Sequence, residues 1–498
     1  MIWLSLTLLG IILLLIVRQS VSRSTQTPWW LLWLVLMLPA FLIGAWALTQ
    51  GPKQPIPQPL LVSSLILSSL LYFVLVQRGR IAKSATQSAE AADPNSAESA
   101  TSPPEVRPLE KSEESLLQSC FPWSIYYLQQ IEYRPQAVIC RGQLRSQPET
   151  AYETIRDNIT AQFGDRFLTI FQHGAGNKPF FALVLNPQRQ EELTKRPQQA
   201  PLTRPGLALI LICLTLVTTT LAGVELANPS LTSKTFTANP GIILTGLPYA
   251  LPLMLILGIH ELGHYLTARF YQIRATLPYF IPVPFALGTF GAFIQIRSPI
   301  PNRKILFDVG IMGPIAGFVI TLPVLIWGLY HSEIVPLPAK AEPFNVTAFN
   351  PNFSVLLILI SRCVFGTELM TNTGIHLHPV AIAGCLGLVV TALNLMPIGQ
   401  LDGGHIVHAM YGQRAGAAIG QISRFIVLLL ALVQPVLMFW AILLFFMPAF
   451  DEPALNDVSE LDSRRDFLGL LSLTLLLLLI LPAPDLLSNL LLTANPAP

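Results

Sequence analysis

The chain has 498 residues, of which 52% are hydrophobic and only 12% charged, with a mean hydropathy of +0.56. Soluble domains carry roughly 25% charged residues, so this composition excludes a water-soluble globule, a disordered chain and a collagen-like fibre. A net charge of +2 offers no field for nucleic acid, and five scattered cysteines without a CxxC pair exclude a cysteine metal site and a cystine scaffold.

The fold class expected is an all-α polytopic membrane protein. Crossing a hydrocarbon core of about 30 Å takes about 20 apolar residues. Nine segments read as spans: 2–17, 29–48, 60–76, 206–224, 242–266, 309–330, 379–397, 420–447 and 467–481. The first lacks a basic start and a small-residue cleavage site before Arg18, so it reads as an anchor rather than a signal peptide. Three spans therefore fill an N-terminal region, 1–81. Residues 82–115, rich in Ala, Ser, Pro and Glu, read as a flexible acidic linker.

Residues 116–200 read as a small α+β domain. Strands are expected at 136–144, 166–173 and 178–186, with a turn at 174–177. Between the first two strands, a Ser146-x-x-Glu149 capping box opens a helix with Ile155, Ile159 and Phe163 on one face and Gly164 as its stop. Its role is either a structural appendage or regulation and substrate selection.

A membrane core follows over 201–483, with a tail at 484–498. Near the end of the 242–266 span stands Gly258-Ile259-His260-Glu261-Leu262-Gly263-His264. Histidines four apart share one helical face and can grip one zinc ion, while Glu261 is placed to take a proton from a water that zinc acidifies. Ionisable groups inside an apolar helix are costly and mark function. Residues 275–298 hold too many Pro and Gly for a spanning helix, and 293–297 alternate like a strand. We read a membrane-associated β-hairpin on the cytoplasmic side, where Gly288 and Gly291 would let a substrate backbone approach and an exposed edge could hold an unwound helix by strand addition. A passive connector is the alternative. Gly310, Gly313 and Gly317 form a small-residue face in the next span, around Pro314.

Residues 353–365 are apolar, but as a helix they reach only about 20 Å, so they read as interfacial or re-entrant on the outer side. A catalytic zinc needs a third protein ligand. Asp402 is a candidate, just past a span that Pro397 and the following glycines break; His405, His408, His376 and His378 are rivals. The histidine pair and Asp402 both lie at the exits of their helices, so they meet only if an odd number of crossings separates those helices; 309–330 supplies one. Lys and Arg, including Arg18, Arg80, Arg269, Arg303 and Lys304, gather on one side, which the positive-inside rule makes cytoplasmic. A single 420–447 crossing then turns Asp451–Asp462 outward, with Arg464 and Arg465.

The H-E-L-G-H run at 260–264 and the N-x-x-P-x-x-x-L-D-G-G run at 394–404 resemble the two signatures of the site-2 protease family, the zinc intramembrane metalloproteases. The stretches at 288–304 and 375–379 are most similar to its plastid and cyanobacterial branch, the EGY-type proteins. The resemblance covers about 200–447 and implies a six-span core, with one Zn2+ per chain on His260, His264 and Asp402. It further implies Glu261 as acid/base and Asn394 as a contact to the substrate backbone. It implies a cyanobacterial plasma or thylakoid membrane, and the Lys and Arg distribution puts the active site toward the cytoplasm. Many members carry a PDZ domain, for which the 331–378 connection is too short.

The expected function is regulated intramembrane proteolysis: hydrolysis of peptide bonds within or near the spans of membrane-protein substrates. The partners are those substrates and the lipid bilayer, with no nucleic acid. A catalytically silent scaffold or chaperone keeping the fold is the alternative. A metal transporter is a third reading, against which stands the single copy of each motif.

Overall fold

The computed structural model describes residues 27–51, 111–134, 137–186, 204–227, 240–284, 287–337, 347–370, 373–433 and 451–484, with isolated positions between them. The expected spans at 2–17 and 60–76, the 82–115 linker and the tail lie largely or wholly outside the described residues. Among those described, four helices are long and apolar enough to cross a membrane: Pro205–Ala227, Gly241–Phe270, Arg303–Tyr330 and Gln413–Ala431. A fifth crossing counts if the pair Trp29–Leu36 and Leu38–Gln50, bent by 48°, is one span. Pro39 near the start of the second helix cannot donate a backbone bond, which places the bend there. Pro379–Leu395 is apolar but only 17 residues long, and Ser463–Ile480 carries charges in its first turn.

The chain divides into two compact units. One comprises Met1–Pro103, Cys213–Gly246 and Ile281–Phe290. Within it, Gly288 has φ +80°, and a Cβ there would fall 2.5 Å from the Thr219 Cα; Thr218 Oγ1 donates to its carbonyl at 2.6 Å.

The second unit comprises Pro104–Ile212, Leu247–Phe280 and Gly291–Pro498. Its membrane part packs a histidine helix (Leu247–Phe270), a glycine helix (Arg303–Tyr330), an asparagine helix (Pro379–Leu395) and a short aspartate helix (Asp402–Tyr411). Missing side chains bring these backbones together. A Cβ on Gly263 would lie 2.6 Å from the Met312 carbonyl, one on Gly328 2.3 Å from the Ala381 nitrogen, and one on Gly384 2.7 Å from the Leu325 Cα. Asn302 caps the glycine helix by accepting from the Ile305 amide at 2.9 Å. Val355–Phe365 is an 11-residue helix, too short to span, capped by Ser354 and stopped by Gly366 at φ +56°. Its Val355 amide donates to Leu481 at the far end of Ser463–Ile480.

The same unit holds a four-stranded sheet in the order β1-β2-β4-β3, made of Tyr126–Arg134, Ala137–Leu144, Phe167–His173 and Pro179–Leu185 in chain order, with all neighbours antiparallel. Pro148–Phe163 covers it, burying Tyr152, Ile155 and Ile159 beside a stacked Phe171–Phe181 pair. β1 has no counterpart in the sequence reading; its mixed pattern YYLQQIEYR hides the alternation behind a bulge between Leu128 and Gln130. The capping box is corrected: the N-cap is Gln147, without a side-chain bond. Pro148 at the first helical position starts the helix one residue late, which leaves Ser146 Oγ against the Ile125 carbonyl.

Two small sheets complete the fold: β5 (Tyr279–Pro282) with β6 (Thr289–Phe293), and β7 (Glu333–Pro336) with β8 (Thr373–His376). The expected strand at 293–297 is corrected to β6; residues 294–297 instead run beside 274–276, with Thr276 N donating to Gln295 O at 3.0 Å and Arg297 N to Arg274 O at 2.7 Å.

A second correction concerns crossings. Residues 451–459 lie against β3 and the aspartate helix, not at the opposite end of the bundle: Asp457 N donates to Phe171 O, and Arg465 pairs with Asp308 near the start of the glycine helix. Gln413 Nε2, at the start of Gln413–Val433, donates to the Asp451 carbonyl at 2.9 Å; most of residues 434–450 lie outside the described residues. Arg465, beside Asp308, thus lies at the end of the glycine helix where Arg303 and Lys304 stand.

Candidate metal centre

His260 and His264 stand one turn apart on the histidine helix, both buried, with Glu261 buried beside them. The neighbouring helix makes room for two imidazoles by repeating glycine at the same interval. A Cβ on Gly313 would sit 2.0 Å from His264 Nε2, and one on Gly317 3.0 Å from His260 Nδ1. The Val309 carbonyl lies 2.7 Å from His264 Nδ1. A carbonyl only accepts, so Nδ1 carries a hydrogen and Nε2 is the nitrogen that could face a metal.

The asparagine helix ends at Leu395, and Pro397 with Gly399 at φ +51° turns the chain before the aspartate helix begins. That turn folds back tightly. A Cβ on Gly403 would lie 2.0 Å from the Leu395 carbonyl, and one on Gly404 2.2 Å from that of Gly399. Asp402 heads the new helix and reaches the histidines. Its Oδ2 is 3.3 Å from His260 Nε2 and its Oδ1 3.2 Å from His264 Nε2, while the two Nε2 atoms are 3.3 Å apart.

Ligand atoms on a tetrahedral zinc, each 2.0–2.1 Å from the ion, stand about 3.3–3.4 Å from one another. The Nε2–Nε2 separation fits that spacing, each imidazole has one Asp402 oxygen within 3.3 Å, and two imidazoles with one carboxylate oxygen would leave a fourth position open. Among the described residues this is the one group of three such side chains able to share a metal. The convergence also requires the histidine and asparagine helices to run the same way, with the glycine helix between them.

Residues 248–434 match Peptidase family M50. The chain carries a peptidase family M50 domain. Over 368 residues it is 30% identical to "Probable zinc metalloprotease EGY2, chloroplastic" of Arabidopsis thaliana, covering 73% of this chain and 63% of that protein. It is 35% identical over 241 residues to "Probable zinc metalloprotease EGY1, chloroplastic" of the same plant, covering 48% of this chain and 43% of the relative. The EGY3 protein of Oryza sativa subsp. japonica is 27% identical over 259 residues, covering 47% and 42%. The chain thus spans just under two thirds of the length of the EGY2 proteins it matches. No solved structure matches.

The matched residues contain the three converging side chains and all four rival histidines, and the geometry separates them. His378 Nδ1 accepts from Val380 N at 3.3 Å, capping the asparagine helix, and His376 ends β8. His405 and His408 turn to Asp451 instead. Asn394 Nδ2 lies 3.0 Å from His260 Nε2, at the rim of the triad. The Ile294 backbone lies within hydrogen-bonding reach of the Glu261 carboxylate. Gly288 serves the chain's own packing against Thr218 and Thr219, whereas Gly291, at φ +103°, has open space where a Cβ would be. The sequence reading missed Asp451 and Asp457. Both lie beyond the matched residues, and the one signal for them was two carboxylates six apart in a stretch otherwise free of membrane character.

Proposed function

We propose that this chain is an intramembrane zinc metalloprotease that hydrolyses peptide bonds within or beside the membrane spans of other proteins. The observation that carries the reading is the fit of His260, His264 and Asp402 to one tetrahedral ion, beside a buried glutamate within long apolar helices. Zinc held by these three residues would supply Lewis-acid activation of water and of the scissile carbonyl. Glu261 takes the proton of the attacking water and hands it to the leaving amine. Val309 fixes the His264 tautomer, and Asn394 meets the substrate backbone. The exposed Phe290 and Phe293 of β6, with no Cβ on Gly291 between them, offer an extended peptide an apolar surface. The metal end belongs to the side where Arg269, Arg303 and Lys304 gather, cytoplasmic or its plastid equivalent. The chloroplastic relatives favour a photosynthetic membrane.

The test uses purified protein in lipid with a single-span membrane substrate. Glu261→Gln should keep its zinc and lose about 10²–10⁴-fold in cleavage rate, the range of general acid–base catalysis. Cleavage equal to wild type would refute the assignment.

A further inference from the structure

Asp402 opens a ten-residue helix whose two histidines serve a second cluster. His405 Nδ1 lies 2.8 Å from Asp451 Oδ2. His408 Nδ1 lies 2.7 Å from the same oxygen, and its Nε2 2.8 Å from Asp457 Oδ1. His408 is 1% exposed, Asp457 5% and Asp451 8%. Both nitrogens of His408 face carboxylate oxygens, which only accept when ionised, so both nitrogens donate and the ring is an imidazolium clamped between two anions. Such a buried group is held hard in place, because losing one partner strands a charge.

The carboxylates belong to a segment anchored on three sides. Asp451 Oδ1 accepts from Glu452 N at 2.7 Å, and its carbonyl accepts from Gln413 Nε2 at 2.9 Å. Phe171 N donates to Leu455 O at 2.6 Å and Asp457 N to Phe171 O at 2.9 Å, so residues 455–457 add a parallel bridge to the otherwise free edge of β3. On their other side, Leu455 N and Asn456 N donate to Ile300 O and Pro301 O at 2.9 and 3.0 Å, just before the glycine helix. Val458 enters the core of the four-stranded domain.

We propose that residues 451–458 are a strap that positions Asp402: His408, Asp451 and Asp457 are positioning residues for the carboxylate ligand, and the four-stranded domain, through β3, is part of the metal site's support. The physical need is clear from the turn before Asp402, where Pro397 and Gly399 interrupt the helical hydrogen bonding. A ligand placed at the start of a short helix is only as fixed as the rest of that helix, and metal sites require ligands within about 0.5 Å of their geometry. The proposal rests on the metal reading above.

The experiment uses the full chain in lipid nanodiscs and measures zinc affinity by competition with a chelator, alongside backbone hydrogen exchange of the metal-free protein. Asp457→Ala should weaken zinc binding about 10-fold or more, as loss of support around a metal ligand does. Asp457→Asn, which keeps an oxygen acceptor for His408, should retain most of the affinity. Unchanged affinity in Asp457→Ala, with binding abolished by His260→Ala, overturns the strap. If His260→Ala binds zinc as wild type does, the metal reading fails instead, and exchange decides the strap. Amides of 404–411 opening faster in metal-free Asp457→Ala support it; unchanged exchange overturns it. Should that variant not fold, wild type alone suffices: amides of 455–457 and 404–411 should open as one unit, and openings differing by more than about 10-fold overturn the proposal.

Discussion

At the scale of single residues, the absence of a methyl group matters as much as any functional side chain. Gly313 faces His264 Nε2 so closely that a Cβ would stand 2.0 Å away. Gly313→Ala should therefore push the imidazole off its position and abolish zinc binding while the protein still inserts and folds; metal content per chain measures it. His408 sets a pH dependence. Burial alone would lower its pKa, but the facing Asp451 and Asp457 carboxylates raise it to about 9, with His405 sharing Asp451 and Arg303 near Asp457. Against an unfolded value of about 6.5, its contribution to stability is whole below about pH 6.5 and is lost as pH climbs through about 9. Asp451, pushed down to about 2 against burial by His405 and His408, loses its contribution only as pH falls through that value. Thermal melting between pH 6 and 9.5 should show the alkaline loss, and His408→Gln should flatten it. The H-E-x-x-H spacing was legible because it needs nothing beyond one helix. The His408 partners were not, because Asp451 is 43 residues away in the chain and no local pattern joins them.

Elements show how those residues are brought together. The glycine helix lies between the histidine and asparagine helices, and each contact is made where a side chain is missing: Gly263 on Met312, Gly328 on Ala381, Gly384 on Leu325. A methyl at Gly384 would meet the Leu325 backbone, so Gly384→Ala should cost about 1–3 kcal/mol, as overpacking does, and zinc affinity should fall with it because this helix carries the turn that leads to Asp402. Denaturant melts with zinc titration on the same samples check both. The short helix Val355–Phe365 supplies a contrast. Ser354 caps it, and Ser354→Ala should cost about 1 kcal/mol while leaving cleavage unchanged, since this helix sits by Leu481, at the other end of its partner helix from the metal. Spans such as Pro205–Ala227 and Arg303–Tyr330 were readable from apolar length alone. The hairpin register was not. Residues 293–297 alternate like a strand, but the bonding partner for 294–297 is 274–276, and β6 lies four residues earlier.

On the scale of the molecule, the four-stranded domain and the membrane helices of the second unit are joined by backbone hydrogen bonds, not by a tether alone. Phe181 stacks on Phe171 at 4.1 Å in the domain core, and Phe171 bonds residues 455 and 457 through its backbone. Phe181→Ala should cost about 3–5 kcal/mol within the domain. Its effect should reach further: hydrogen exchange at 455–457 and 404–411 should rise, though no residue there is changed. Exchange confined to 116–186 would show the domain to be independent. The Arg465–Asp308 pair belongs to this scale as well, for it fixes the start of Ser463–Ile480 against the start of the glycine helix.

Composition and spacing by themselves gave long apolar spans and His260, Glu261 and His264 together on one helix, because apolar length and a four-residue interval are properties of the local chain; the two motifs added a resemblance to the site-2 proteases. The approach of Asp402 to both histidines, Gln147 rather than Ser146 at the helix cap, and the engagement of His405 and His408 elsewhere were decided only in three dimensions. A ligand's identity depends on where separate helices end relative to one another, and that relation is created by glycine contacts and carboxylate–imidazole pairs that bridge residues far apart in the chain.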